Sequence, residues 1–167
     1  MRNATDIFSE WALGGKDEGM EKNHADAVSE ILTHLIYGVG TSFTFIDAVG
    51  NYFCSDLMKW IPEEKVDFIH SMEVMYYFEN PGELIDHMKL NWLKPGGKMI
   101  MGVDYYQEHE RSHTWPTDLG THMTLLSEKN WISLFNDHGF SHIENFRANV
   151  QDDFPGTLVI SGVLDCI

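Results

Sequence analysis

The sequence has little with which to cross-link itself. Cys54 and Cys166 are its two cysteines in 167 residues, which leaves no disulfide framework and no cysteine-based zinc pattern. Basic residues are also scarce. Lys and Arg number 11 against 26 Asp and Glu, a formal net charge of −15. No basic stripe runs along the chain, so no nucleic acid partner is expected. The same imbalance permits a cationic ligand, although an acidic, solvated surface is its first explanation. Apolar runs are no longer than a strand, far below the ~20 residues that span a bilayer, and residues 2–10 are polar rather than signal-like. A cytoplasmic setting without membrane contact is the expectation.

What is present suffices for a packed core: hydrophobic residues make up 43% and aromatics 13%. A chain of this length is sufficient for one domain, here residues 1–167, burying about 68–70% of its unfolded surface. There is no internal repeat, low-complexity tract or linker. Ile7, Trp11 and Leu13 suggest a short helix, followed by a loop at 14–19. Ala27, Val28, Ile31, Leu32, Leu35 and Ile36 recur at helical spacing from about Glu21 to Tyr37. Phe43–Ile46 reads as a buried strand ending at Asp47, Tyr52–Asp56 as another, and Val66–His70 as a third running into Ser71-Met-Glu73.

Asn80-Pro81-Gly-Glu83 starts a helix, with Asn80 as cap and Glu83 reaching back to it. Its buried face is Leu84, Ile85, Met88 and Trp92. Lys94–Gly97 is a turn into a strand over 98–104. Ser127 caps a further helix with Trp131, Leu134 and Phe135 inward and Gly139 as its stop. Two late strands, 140–147 and 157–163, follow without a helix between them. This alternation indicates a three-layer α/β domain, in which ligands bind beyond the carboxyl ends of the strands. Those ends carry Asp47, Asp56, Ser71 to Glu73, and Asp104 to Tyr106.

Read together, the segments resemble a class I S-adenosyl-L-methionine-dependent methyltransferase of the small-molecule type. Phe43-Thr-Phe-Ile-Asp-Ala48 is similar to that family's first motif, Phe53-Cys-Ser-Asp-Leu57 to its third-strand motif, and residues 66–81 to its fourth strand and following loop. Leu93-Lys-Pro-Gly-Gly97 before a strand, and a helix ending in Gly139-Phe140, complete the series. Trp11-Ala and Gly19-Met-Glu-Lys-Asn-His24 resemble a helical lid, placing residues 1–38 in that role.

The resemblance implies a Rossmann-like sheet with helices on both faces and a C-terminal antiparallel hairpin. It also implies S-adenosyl-L-methionine as cofactor and a small-molecule acceptor. One departure is large. The family has a glycine-rich loop, a helix, a second strand, and another helix before the third strand, whereas here three residues separate Ala48 from Tyr52. Parallel neighbours need a crossover of a dozen or more residues, so Val49–Asn51 forms a hairpin turn or a kink within one long strand. The fold is expected without its second strand and crossovers. Its uncovered edge would expose apolar surface, lower thermal stability and invite a homodimer.

By resemblance, Asp47, Gly50, Asp56, Leu57 and Ser71 form the cofactor side. Glu73 and His24 serve the acceptor by orienting it or drawing its proton. Tyr77, Tyr105 and Trp115, with Tyr76 and Tyr106, can wall a cationic or planar ligand. Other readings stand beside these. His24 reads also as an exposed residue at a helix start, Asp56 as a cap for the 57–60 turn, and Tyr76 and Tyr77 as packing residues. A non-catalytic remnant of the fold with weak or no cofactor binding is the alternative for the chain. No metal site is expected. His109-Glu110-Arg-Ser-His113 fits the zinc-hydrolase pattern H-E-x-x-H, but its flanks are not amphipathic, and that reading ranks last.

Overall fold

In a computed structural model, the residues described are 17–36, 45–47 and 56–165. Helix α1 spans Asp17–Ile36, and the strands are β1 (Phe45–Asp47), β2 (Val66–Met72), β3 (Leu93–Val103), β4 (Phe140–Ala148) and β5 (Thr157–Leu164). Helices α2 (Pro81–Asn91), α3 (Trp115–Leu119) and α4 (Glu128–Asp137) lie between them. Among the described residues the sheet order is β1-β2-β3-β5-β4. The first three strands run parallel, while β5 is antiparallel to both β3 and β4. The closing hairpin is therefore as expected, although β4 and β5 each extend one residue further.

Alternation along the strands separates two cores. Ile69, Met99, Met101, Leu158 and Ile160 face Leu84, Ile85 and Met88 of α2 with Trp131 and Phe135 of α4. Met72, Ile100 and Val159 face Ala27 and Ile31 of α1. Helices thus cover both faces. Gly102 matters here: a Cβ on it would stand 2.6 Å from Met72 Sδ and 3.2 Å from Ile31 Cδ1. Its missing side chain lets α1 lie close to the sheet.

Several elements differ from expectation. Helix α1 begins at Asp17, so residues 17–19 are helical rather than loop. Asp47 ends β1 as expected, paired with His70. Residues 94–97 bulge from β3: Val66 pairs with Leu93, but Phe68 already pairs with Lys98. The Asn80 cap is also made differently. Its amide donates to Glu83 Oε1 at 3.0 Å, and no helix N–H bonds to its side chain. Ser127 caps as foreseen, accepting from the Asn130 N–H at 3.2 Å.

Asp56 begins a turn. The Lys59 and Trp60 N–H groups bond to its carbonyl at 2.9 Å. Trp60 is held in turn by Trp92, whose Nε1 donates to the Trp60 carbonyl at 2.8 Å. The two rings meet edge to face, 5.0 Å apart. The suggested first helix, the motif loop with Gly50, and residues 52–55 lie outside the described residues. Among the described residues β1 is an edge of the sheet, with no second-strand crossover unit beside it. No described helix is long and apolar enough to cross a membrane.

Candidate active site

The polypeptide turns sharply where β2 ends. Glu73 has φ 57°, a left-handed conformation costing an L residue about 1–3 kcal/mol. It is retained because the side chain is fixed at both oxygens. The Asp104 N–H donates to Glu73 Oε1 at 2.5 Å and Tyr76 Oη donates to Oε2 at 2.8 Å. The Glu73 N–H itself bonds to the Gly102 carbonyl at 2.9 Å, tying this turn to the end of β3. Asp104 follows β3 directly, so the two strand ends bring two carboxylates together.

His24 closes the group from above. Its Nε2 lies 3.3 Å from Asp104 Oδ2, and α1 is fixed at its other side by the Asn149 N–H, which donates to Glu30 Oε2 at 3.0 Å. His24, Glu73 and Asp104 can each offer one ligand atom to a cation, all within 4.8 Å of one another. Sequence reasoning did not foresee this grouping.

Burial sets the electrostatics of Glu73. Removal from water, then the charge of Asp104, push its pKa up to about 8, opposed by the His24 charge and the bonds from Tyr76 and Asp104 N–H. A desolvated carboxyl beside a second acid holds its proton more tightly. Burial also raises Tyr77 to about 12. Tyr76 moves up for the same reason, reinforced by Glu73.

These residues line a cleft of about 230 Å³, formed by His24, Glu73, Tyr76 and Tyr77 on one side and Trp115, Asp118 and Leu119 on the other. Thr114 Oγ1 donates to Asp118 Oδ2 at 2.7 Å. Five residues singled out from sequence, His24, Glu73, Tyr76, Tyr77 and Trp115, therefore meet in one place.

Others do not join them. Tyr105 is buried behind the wall, 6.3 Å from Trp115 in a stacked arrangement and 5.6 Å from Tyr76 edge to face. It braces the aromatic wall instead of lining it. Tyr106 is core: its hydroxyl donates to the Gly156 carbonyl at 2.7 Å, and the Arg147 guanidinium sits 4.2 Å over its ring. Asp56 is exposed and caps its own turn, accepting from the Met58 N–H at 3.0 Å and pairing with Lys59 at 2.8 Å. The Lys59 bond, then that of Met58, lowers its pKa. Leu57 packs at the margin of the larger core.

Ser71 is fully buried at the end of β2, its Oγ without a protein partner, as is Asp104 Oδ1. The zinc-hydrolase pattern fails on geometry. Residues 110–114 form a 3-10 helix, so the two rings address different carbonyls, His109 that of Asp104 and His113 that of Gln107. Among the described residues they form no metal-binding group.

Asp104 stood among the strand-end acids without an assigned role, and Asp118 and Leu119 were missed as site residues. Asp104 had a visible signal, an acid directly after an apolar strand. Asp118 and Leu119 had none, since their place depends on how α3 folds over the cleft.

Residues 16–145 match a family model described as a methyltransferase domain. No curated protein matches the sequence. Among solved structures, a chain of the complex between the Haloferax volcanii Trm112 methyltransferase activator and its proposed methyltransferase is 22% identical. It superposes with a TM-score of 0.78 over 99% of this chain and 100% of that one. An S-adenosylmethionine-dependent methyltransferase of Thermotoga maritima is 11% identical, with a TM-score of 0.68 over 95% of this chain and 98% of its own. Human N-acetylserotonin methyltransferase, solved with S-adenosylmethionine, gives 14% and 0.53 over 67% of this chain and 33% of its own. The chain belongs to the methyltransferase-domain family and has the fold of class I S-adenosylmethionine-dependent methyltransferases.

Proposed function

We propose that this domain transfers a methyl group from S-adenosyl-L-methionine to a small-molecule acceptor seated in the cleft between α1 and the ends of β2 and β3. The observation that carries this reading is the convergence of His24 and Glu73, from elements far apart in sequence, beneath the aromatic pair Tyr77 and Trp115. The cofactor fits the donor set. Its sulfonium is a cation, suited to carboxylates and aromatic faces, and Ser71 Oγ and Asp104 Oδ1 are buried acceptors that lack a protein partner. Asp47, Gly50, Asp56, Leu57 and Ser71 form the cofactor side in this proposal, and Glu73, His24, Tyr77 and Trp115 the acceptor side. Tyr105 supports that wall from behind.

When bound, the cofactor supplies an electrophilic methyl group. The protein supplies position, because in-line attack depends on alignment of the nucleophile. Trp115 and Tyr77 exclude water and orient the acceptor. Glu73 can take the acceptor's proton at a carboxylate oxygen, and its pKa of about 8 makes it a stronger base than an ordinary glutamate, active as pH approaches and passes 8. Asp104 orients the imidazole of His24 over the same space.

Calorimetric titration with S-adenosylhomocysteine tests the reading. Saturable heat is expected, and none at millimolar ligand overturns it in favour of the non-catalytic remnant. The position of β1 at the sheet edge favours that second reading. The same edge is where a homodimer would pair. Light scattering that shows a monomer at all concentrations removes that partner.

A further inference from the structure

We infer that the acceptor is an amine, bound as its ammonium ion between the Glu73 and Asp118 carboxylates and the faces of Tyr77 and Trp115. This deepens the methyl-transfer reading and rests on it.

Among the described residues, the lining of the cleft carries two carboxylates and three aromatic rings and no Lys or Arg. Among those described residues His24 is the one that can carry a positive charge, and Asp104 already holds that imidazole at 3.3 Å. An anionic acceptor would meet Glu73 and Asp118, with Asp104 behind them and no guanidinium or ammonium among the described lining to receive it, and like charges are disfavoured. A neutral alcohol would meet no repulsion, but would leave the acids without a counter-charge. An ammonium satisfies both features at once, pairing with the carboxylates and lying against aromatic faces. The net charge of −15 adds long-range attraction for cations. Asp104 Oδ1, buried and lacking a protein partner, deepens the negative potential behind the cleft.

The acid arrangement also meets a chemical need. An ammonium has no lone pair and must lose a proton before it can attack. Glu73 takes that proton at a carboxylate oxygen, leaving a neutral amine. The nitrogen lone pair then forms the N–CH3 bond while the S–CH3 bond breaks. Its electron pair stays on sulfur as a neutral thioether, and the positive charge passes to the methylated nitrogen. A carboxyl whose pKa is raised to about 8 by burial and Asp104 is matched to an amine far better than an ordinary glutamate.

Calorimetry at pH 9, above the Glu73 pKa of about 8 so that its carboxylate is populated while the amine stays protonated, distinguishes the acceptor classes on the protein saturated with S-adenosylhomocysteine, using 2-phenylethylamine, 2-phenylethanol and phenylacetate as probes of one shape. The amine is expected to bind at least about tenfold tighter than the alcohol, the equivalent of one charge-assisted contact, with no heat from phenylacetate. Asp118→Asn, an exposed position that leaves the core intact, is expected to reduce the amine preference without changing the alcohol. Glu73→Gln should abolish it. Equal or tighter binding of alcohol or carboxylate, with S-adenosylhomocysteine still bound, overturns the amine assignment alone. Failure of S-adenosylhomocysteine itself to bind overturns the methyl-transfer reading beneath it.

Discussion

The His24 imidazole stands 3.3 Å from the Asp104 carboxylate across 80 residues of sequence. The contact joins the helix above the sheet to the end of its third strand. It also places a titratable ring beside Glu73, whose environment governs how the site responds to pH.

Glu73 makes stability depend on pH in a definite direction. Its folded pKa is raised from 4.5 to about 8. Below pH 4.5 folded and unfolded chains both hold the proton, and its contribution is fully present. As pH rises, the unfolded chain releases the proton first, so stability falls up to about pH 8 and then levels, by on the order of a few kcal/mol. Glu73→Gln removes that decline. Urea denaturation midpoints measured from pH 4 to 9 should therefore converge or cross between the two proteins. Parallel pH curves would contradict it.

The neighbours of Glu73 should move its titration in opposite directions. Asp104→Asn removes a charge that raises the pKa and acts more strongly than the opposing His24. The carboxyl should then titrate lower. Tyr76→Phe removes a hydrogen bond to the ionised form, so the titration should move higher, and the lost partner of a buried oxygen costs about 1–3 kcal/mol. Carbon-13 NMR of labelled glutamate carboxyls reads both shifts, and a shared direction would be inconsistent with this arrangement.

The two helix caps are unequal. Ser127→Ala removes an acceptor for the Asn130 N–H and should cost about 1 kcal/mol. Asn80→Ala should cost less, because the Asn80 side chain accepts no helix N–H and only donates to exposed Glu83. Thermal denaturation ranks them, and neither should alter S-adenosylhomocysteine affinity.

Gly102→Ala tests how closely α1 must approach. The added methyl would lie 2.6 Å from Met72 Sδ, 3.1 Å from Thr157 Cγ2 and 3.2 Å from Ile31 Cδ1. Overpacking of this kind costs about 1–3 kcal/mol. Because the relief is a shift of α1, hydrogen exchange should quicken in α1 more than in α2. Uniform change in both helices would argue against a displaced lid.

Much of the architecture was readable because it is written locally. Leu84, Ile85, Met88 and Trp92 recur at helical spacing and are all buried. Ser127 and Gly139 bound α4, with Gly139 at φ 84°. The same local logic placed Glu73 at a strand end, where a ligand site is expected. At Asp56 the turn-cap reading is the one its hydrogen bond makes visible. At Tyr105 the residue type suited a wall, and the ring packs into the core behind it. Periodicity assigns a residue to a face and does not say what lies opposite.

Apolar spacing, caps and strand-end acids, all interactions within a few residues, determined most of the elements and their order, and motifs such as Leu93–Gly97 carried the resemblance to the family that residues 16–145 match. The tertiary structure alone decided that His24, Asp104 and Glu73 meet, that Asp118 and Leu119 close the cleft from α3, and that Tyr106 belongs to the core. Those contacts cross tens of residues. They exist only once parallel pairing aligns β2 with β3 and Gly102 lets α1 settle on the sheet, conditions that no local stretch of sequence contains.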